Sequence, residues 1–222
     1  MKRRFVIPDI HGCCSTFRTL VTEVIRLERT DELYLLGDMI DRGPDSKGVL
    51  DLVLELQDRG FDIKGVKGNH EEMCLRADEN LAFMELWIAN GGLATMRSFK
   101  VESAGEIPWC YRNLLHSLPD YILLDDFVIV HAALNFVRND PFSDTEAMLW
   151  MRDCSVVPSR IGGRRLVSGH TPVTREQLTA SLTSNRILID NGCVFAGETG
   201  LGSLTALELD SMTVWYQDNI DR

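Results

Sequence analysis

The sequence has no apolar run near the roughly 18 residues that a membrane-spanning helix needs. Between the basic start, Lys2-Arg3-Arg4, and Asp9 lie only Phe5, Val6, Ile7 and Pro8, too few for the apolar segment of a secretion signal. Basic charge is scarce as well. Lys and Arg number 23 against 33 Asp and Glu, a net charge of -10. Non-specific nucleic-acid binding requires a basic footprint on the phosphates, so that class of partner is disfavoured. An anionic substrate is still admissible, because bound divalent cations reverse the local sign. The six cysteines, at 13, 14, 74, 110, 154 and 193, include no C-x-x-C pair and no framework spacing. That argues against a thiolate zinc site and for reduced thiols in a cytoplasmic protein. No repeat, low-complexity tract or linker breaks the chain. With 45% hydrophobic residues there is enough to build a core, and one domain over 1–222 is the expectation.

What the sequence does contain is organised around Gly37-Asp38-Met39-Ile40-Asp41-Arg42-Gly43. The apolar Tyr34-Leu35-Leu36 before it reads as a buried strand, and Gly37 ends the strand with a tight turn. A carboxylate at a strand tip is rigidly held and has two oxygens, so Asp38 can bridge two cations. A polar turn with a solvated Asp pair is the competing reading of these seven residues alone.

The same pattern occurs on either side. Phe5-Val6-Ile7 ends in Asp9-Ile10-His11-Gly12, where alternation puts Asp9 and His11 on one side. Ile63 to Val66 ends in Gly68-Asn69-His70-Glu71. Helical spacing of Phe17, Leu20, Val21, Val24 and Leu27 predicts a helix between the first two strands, with Ser15 as its N-cap. Val49, Leu50, Val53 and Leu56 predict a second, capped by Asp45 or Ser46 and ended by Gly60. Strand, helix and strand within about 30 residues is a βαβ unit. Ligands bind off the carboxyl ends of parallel strands, so three polar clusters on successive strand ends should converge.

Residues 72–120 read as mostly helical, with Met73, Leu75, Leu81, Phe83, Met84, Leu86 and Trp87 as packing residues and His116 as a surface or locally bonded histidine. Tyr121–Leu124 and Phe127–Val130 read as a hairpin. Short strands at 165–168 and 187–189, and alternating runs at 203–209 and 212–217, look like a second, more antiparallel sheet. Four of the five histidines (His11, His70, His131, His170) sit just past an apolar strand. With Asp9, Asp38 and Asn69 they form a set of nitrogen and oxygen donors that suits two divalent metals in a hydrolytic site.

These motifs, in this order and together with Val130-His131-Ala132 and Gly169-His170-Thr171-Pro172, resemble the signature of the metallophosphoesterases. More narrowly they resemble the phosphoprotein phosphatases, nearest to the bacterial and phage lambda-type serine/threonine phosphatases. Trp87-Ile88-Ala89-Asn90-Gly91-Gly92 and Leu149-Trp150-Met151-Arg152 also resemble that subgroup. The resemblance implies an α/β, calcineurin-like fold, a two-sheet sandwich with helices outside. It implies that Asp9 and His11 hold a first metal, that Asp38 bridges, and that Asn69, His131 and His170 hold a second. His70 is then the general acid, paired with Asp41, while Arg42 and Arg152 bind phosphoryl oxygens. Arg160, Arg164 and Arg165 are alternatives to Arg152. Two departures are visible: Ala132-Ala133 where Ala-Gly or Gly-Gly is expected, and Asp190-Asn191-Gly192 where Asp-Thr-Gly is expected.

The implied activity is phosphomonoester hydrolysis by a metal-bridging hydroxide, most simply on phosphoserine or phosphothreonine in a protein or peptide. Two ions, Mn above all, with Fe, Zn or Ni as alternatives, lower the pKa of a shared water and clamp the phosphoryl group. No nucleic-acid or membrane partner is expected. The alternative is a diadenosine tetraphosphate hydrolase. In the symmetrical enzymes of that kind Ala-Arg-Gly is expected where this chain has Asp41-Arg42-Gly43. A nucleotide leaving group is already acidic and needs less general-acid support, so Asp41 favours the protein phosphatase. A non-catalytic binding module on the same fold is a third reading, disfavoured because every expected ligand is present.

Overall fold

Each short apolar run forms a strand because alternation lets it bury both faces at once. In this computed structural model, which describes residues 2–221, β1 (Arg4–Ile7) leads into α1 (Cys14–Thr19) and a π-helical stretch, Leu20–Val24. Next come β2 (Glu32–Leu35), α2 (Ser46–Asp58) and β3 (Asp62–Gly65), then α3 (Asn69–Arg76), α4 (Leu81–Ala89), α5 (Gly92–Phe99) and α6 (Trp109–Ser117). The second half runs β4 (Tyr121–Leu123), β5 (Phe127–Val130), α7 (Thr145–Trp150), β6 (Arg165–Ser168), α8 (Arg175–Ser181) and β7 (Arg186–Leu188). It closes with β8 (Ser203–Glu208) and β9 (Thr213–Asp218). Among the described residues no helix is long and apolar enough to cross a membrane.

The strands make two sheets, ordered β3-β2-β1-β8-β9 and β4-β5-β6-β7. In the first, β1, β2 and β3 are parallel, so their three carboxyl ends lie side by side. In the second, β5, β6 and β7 are parallel in the same way. Alternation sorts the side chains. Phe5, Ile7, Leu33 and Leu35 face α1, α2 and the other helices on the outer side of the first sheet. Val6, Tyr34 and Leu36 meet Phe127, Ile129, Val167 and Ile187 of the second sheet in a core between the two. Val128, Val130 and Leu166 turn outward onto Met148 of α7 and Ile161. The result is the two-sheet α/β sandwich flanked by helices that the motifs implied, with the loops at the parallel strand ends converging along one edge.

The grouping of the later strands differs from the sequence expectation. The β8–β9 hairpin joins the first sheet, antiparallel to β1 through Val6 opposite Leu207, and the second sheet is mostly parallel. Alternation identifies a strand but not its partner. The segments carrying α7 and α8 are long enough for the crossovers that parallel pairing needs. The first helix is also shorter than its apolar spacing predicts, giving way at Leu20 to the π-helical stretch. Ser15 does not cap it. Asp221 does, its carboxylate accepting from the Ser15 and Thr16 N–H groups at 2.9 and 2.8 Å. Asp45 caps α2 as expected, accepting from Gly48 N at 2.8 Å. The stretch 72–120 is mostly helical and His116 is exposed, both as expected.

Candidate active site

The loops beyond β1, β2 and β6 hold their residues in an uncommon backbone conformation. Eight non-glycine residues among those described have positive φ, and five of them are His11, Asp38, Asp41, Arg42 and His170. The left-handed region costs about 1–2 kcal/mol per residue, so it persists only where the surroundings enforce it. Buried Glu71 supplies that enforcement at the Asp38 turn. Its carboxylate accepts from the N–H groups of Asp38, Met39 and Gly68 at 2.7, 2.8 and 2.9 Å. The chains also approach too closely for side chains. A Cβ on Gly37 would lie 2.4 Å from Gly68 N, and one on Gly68 would lie 2.2 Å from Asp38 Oδ1.

Asp38 is the meeting point. Its Oδ2 lies 3.6 Å from His11 Nε2 and 3.8 Å from His70 Nε2, and its Oδ1 lies 3.5 Å from His131 Nε2. These separations are too long for hydrogen bonds and short enough for shared ions. Two donor groups result, His11–Asp38–His70 and Asp38–His131–His170, each with its donor atoms within 4.8 Å of one another. Asn69 joins the second group, with Oδ1 2.9 Å from His131 Nε2. Asp9 is buried beside them and accepts from His170 N at 3.0 Å. By proximity alone His70, not Asp9, completes the first group, which differs from the ligand set that the motifs imply.

The protonation pattern fits cations. His11 Nδ1 lies 3.0 Å from the Ile40 carbonyl and His131 Nδ1 lies 2.7 Å from that of Leu36. A carbonyl only accepts, so each Nδ1 carries the proton and each Nε2 presents a lone pair to the site. His131 Nε2 and Asn69 Oδ1 are then two acceptors facing each other, an arrangement that a cation between them relieves. Burial holds His11 and His131 well below the usual imidazole range, helped by neighbouring His70 and His170 respectively. Burial and then the Arg152 charge push His170 down to about 4. Burial also raises the carboxyls. Asp9 is pushed further by Asp190, Asp38 by Asp9, and Asp190 itself rises to about 6. Neutral imidazoles and crowded carboxylates are what a divalent ion stabilises.

His70 differs from the other three histidines. Its Nδ1 is 2.7 Å from a carboxylate oxygen, Asp41 Oδ2, while its buried Nε2, like that of His170, has no hydrogen-bond partner. Arg42 and Arg152 line a cavity of about 120 Å³ together with Asp38, Asn69, His170, Trp150 and Phe195. The guanidinium of Arg42 sits over the Phe195 ring at 5.7 Å and reaches His11 Nε2 at 2.7 Å. The alternative arginines are engaged elsewhere. Arg160 donates to the Asn139 carbonyl at 2.7 Å, Arg164 to Leu124 at 2.6 Å and Arg165 to Ser184 at 2.9 Å. The two departures from the motif pattern are absorbed locally. Ala132 and Ala133 are fully buried, and the Asn191 side-chain amide donates to the carbonyls of Val173 and Gly200.

Sequence reasoning missed several supporting residues. Trp87, read as packing and as the start of the Trp87–Gly92 stretch but given no role in the site, donates to the Asp41 carboxylate, as does Thr95. The Gly68-Asn69-His70-Glu71 motif contains Glu71 but gives no sign of its clamp on three N–H groups. The available signal for Trp87 was the single N–H of a buried indole, which must find an acceptor.

The profile of the calcineurin-like phosphoesterases matches residues 2–197. The chain is 30% identical over 215 residues to serine/threonine-protein phosphatase 1 of Salmonella typhimurium, covering 90% of this chain and 91% of the relative. It is 28% identical over 235 residues to the asymmetrical bis(5'-nucleosyl)-tetraphosphatase PrpE of Geobacillus thermodenitrificans, covering 94% and 91%. A solved protein serine/threonine phosphatase from Saccharomyces cerevisiae superposes with a TM-score of 0.68 at 14% identity, over 100% of this chain and 81% of that one. The last likeness concerns the fold alone. The family profile, however, starts ahead of β1 and runs past the loop that carries Asp190 and Phe195, and on that extent the chain belongs to the calcineurin-like phosphoesterase family.

Proposed function

We propose that this chain is a metal-dependent phosphomonoesterase that releases phosphate from phosphoserine and phosphothreonine in proteins. The observation that carries the reading is the Asp41–His70 pair, 2.7 Å apart, with His70 Nε2 left free to face the donor groups. An alkoxide is a poor leaving group and needs a proton as its bond to phosphorus breaks. His70 would give one, with Asp41 orienting the imidazole by accepting from Nδ1. Asp9, His11 and Asp38 would hold one divalent ion, and Asp38, Asn69, His131 and His170 a second. The nitrogen and oxygen donor set suits Mn, with Fe, Zn and Ni as alternatives. When bound, such ions supply Lewis acidity and an activated water. Arg42 and Arg152 bind the phosphoryl oxygens, for which a planar guanidinium is suited.

A second reading, hydrolysis of a dinucleoside tetraphosphate, is favoured by the relatives that carry that name. The two are separated by measuring kcat/KM for a phosphoserine peptide and for diadenosine tetraphosphate in one Mn-loaded preparation. The expected outcome is a preference for the peptide of at least about tenfold, a difference of about 1.4 kcal/mol in transition-state stabilisation. Chelation should abolish turnover and Mn should restore it. A preference for the dinucleotide overturns the protein phosphatase reading. Metal-independent turnover overturns the dinuclear site.

A further inference from the structure

We propose that Trp87 and Thr95, neither of which lines the cavity, are positioning residues for proton delivery, acting by fixing the plane of the Asp41 carboxylate. The inference rests on the phosphomonoesterase reading above and adds residues that reach the substrate only through Asp41 and His70.

Asp41 is fully buried. Trp87 Nε1 bridges its two oxygens, at 3.0 Å from Oδ1 and 2.9 Å from Oδ2. The Thr95 hydroxyl donates to Oδ1 at 2.6 Å, while His70 Nδ1 bonds Oδ2 at 2.7 Å. Thr95 Oγ1 also accepts from the Asp41 backbone N–H at 2.9 Å, so one side chain grips the residue at both ends. A carboxylate held on both oxygens cannot swing about its terminal bond, and the imidazole bonded to it keeps its Nε2 aimed at the site.

The corner between α4 and α5 is shaped to make these contacts. Gly91, at φ 108°, presents its carbonyl to the Arg42 N–H at 3.3 Å. A Cβ on Gly92 would come 2.5 Å from the Trp87 ring, so the indole packs directly on that backbone. Ordinary core packing requires a large apolar ring at position 87 and nothing more. The bridging N–H, the threonine hydroxyl and the carbonyl to Arg42 all converge on the Asp41-Arg42 turn instead.

In the step concerned, the water oxygen adds to phosphorus and the P–O ester bond breaks. The ester oxygen leaves with the electron pair and takes the proton from His70 Nε2, which is replaced from solvent. Proton delivery matters for a serine alkoxide and little for p-nitrophenolate, which is stable as an anion. That contrast separates positioning from general structural damage.

The experiment uses the Mn-loaded 222-residue chain with Trp87→Phe, which keeps a large ring, and Thr95→Val, which keeps the shape. Each variant is assayed on a phosphoserine peptide and on p-nitrophenyl phosphate. The expected result is a fall in kcat on the peptide, relative to p-nitrophenyl phosphate, of at least about tenfold, part of the 10²–10⁴ that general acids contribute. KM and Mn affinity should stay within about twofold, and Thr95→Ser should restore the ratio. Equal losses on both substrates, or no loss on either, overturn the inference. If Trp87→Phe fails to fold, Thr95→Val decides alone. A wild-type protein inactive on both monoesters refutes the phosphomonoesterase reading itself, an outcome distinct from insensitive variants of an active enzyme.

Discussion

His70 has two nitrogens with different surroundings, and its assignment depends on that asymmetry. Nδ1 is tied to Asp41 at 2.7 Å, whereas Nε2 is buried without a partner. His11 and His131 are tied through Nδ1 to backbone carbonyls instead, which leaves a lone pair on Nε2. Burial holds both of those rings well below the usual imidazole range, against the opposing pull of the carbonyls. On the proposed function, the same residue type would serve as proton donor in one place and as metal ligand in the others. His70→Asn should retain Mn binding, read by calorimetry, while kcat on a phosphoserine peptide falls by about 10²–10⁴. An undiminished rate on that substrate refutes the general-acid role.

At the scale of elements, α1 shows how a short helix depends on a distant segment. It spans six residues, and its cap position, Cys13, offers no side-chain bond to the helix N-terminus. Its free N–H groups are satisfied by Asp221, more than 200 positions away, which also accepts from Thr16 Oγ1 at 2.6 Å. A carboxylate at a helix N-terminus satisfies orphan donors and complements the dipole. Asp221→Ala should cost about 1 kcal/mol. That corresponds to a fall in Tm of about 2–4 °C for a protein of this size. Calorimetric Tm checks it, and an unchanged value refutes the cap. Because α1 follows directly from Asp9–Gly12, the loss should also loosen the first strand-end loop.

At the scale of the whole molecule, Arg4 ties the two sheets together. From β1 it holds Asp126, in the β4–β5 turn, through two bonds of 3.0 Å, and Asp210, in the β8–β9 turn, at 2.6 Å. Both carboxylates are about half exposed, so screening leaves the clamp worth no more than about 1 kcal/mol. The hydrogen bonds from Arg4 hold the Asp126 carboxyl below its ordinary 3.8. A depressed folded-state pKa contributes stability above the unfolded value and loses it as the pH falls through the folded one. Arg4→Gln should therefore be less stable than wild type at pH 7, and the gap should close below about pH 4. Urea unfolding at both pH values checks the sign. A gap that widens in acid refutes the clamp.

Much of the site was legible in the chain because its parts are local. An apolar run ending in Asp-x-His, or in Gly-Asn-His, fixes both a strand and the donors at its tip, and parallel pairing then gathers those tips. Alternation likewise fixed which side chains of β1, β2 and β5 are buried, since a strand with two covered faces is apolar throughout. What local pattern could not decide is which distant segments meet. The sheet that β8 and β9 join depends on whether β1 or the second sheet offers the better edge. Asp221 as the cap of α1, Glu71 as the clamp on the Asp38 turn, and Trp87 with Thr95 on Asp41 are contacts between residues far apart in sequence. Side chains that bond backbone or a buried carboxylate across such distances carry no periodic signature, so only the tertiary structure determined them.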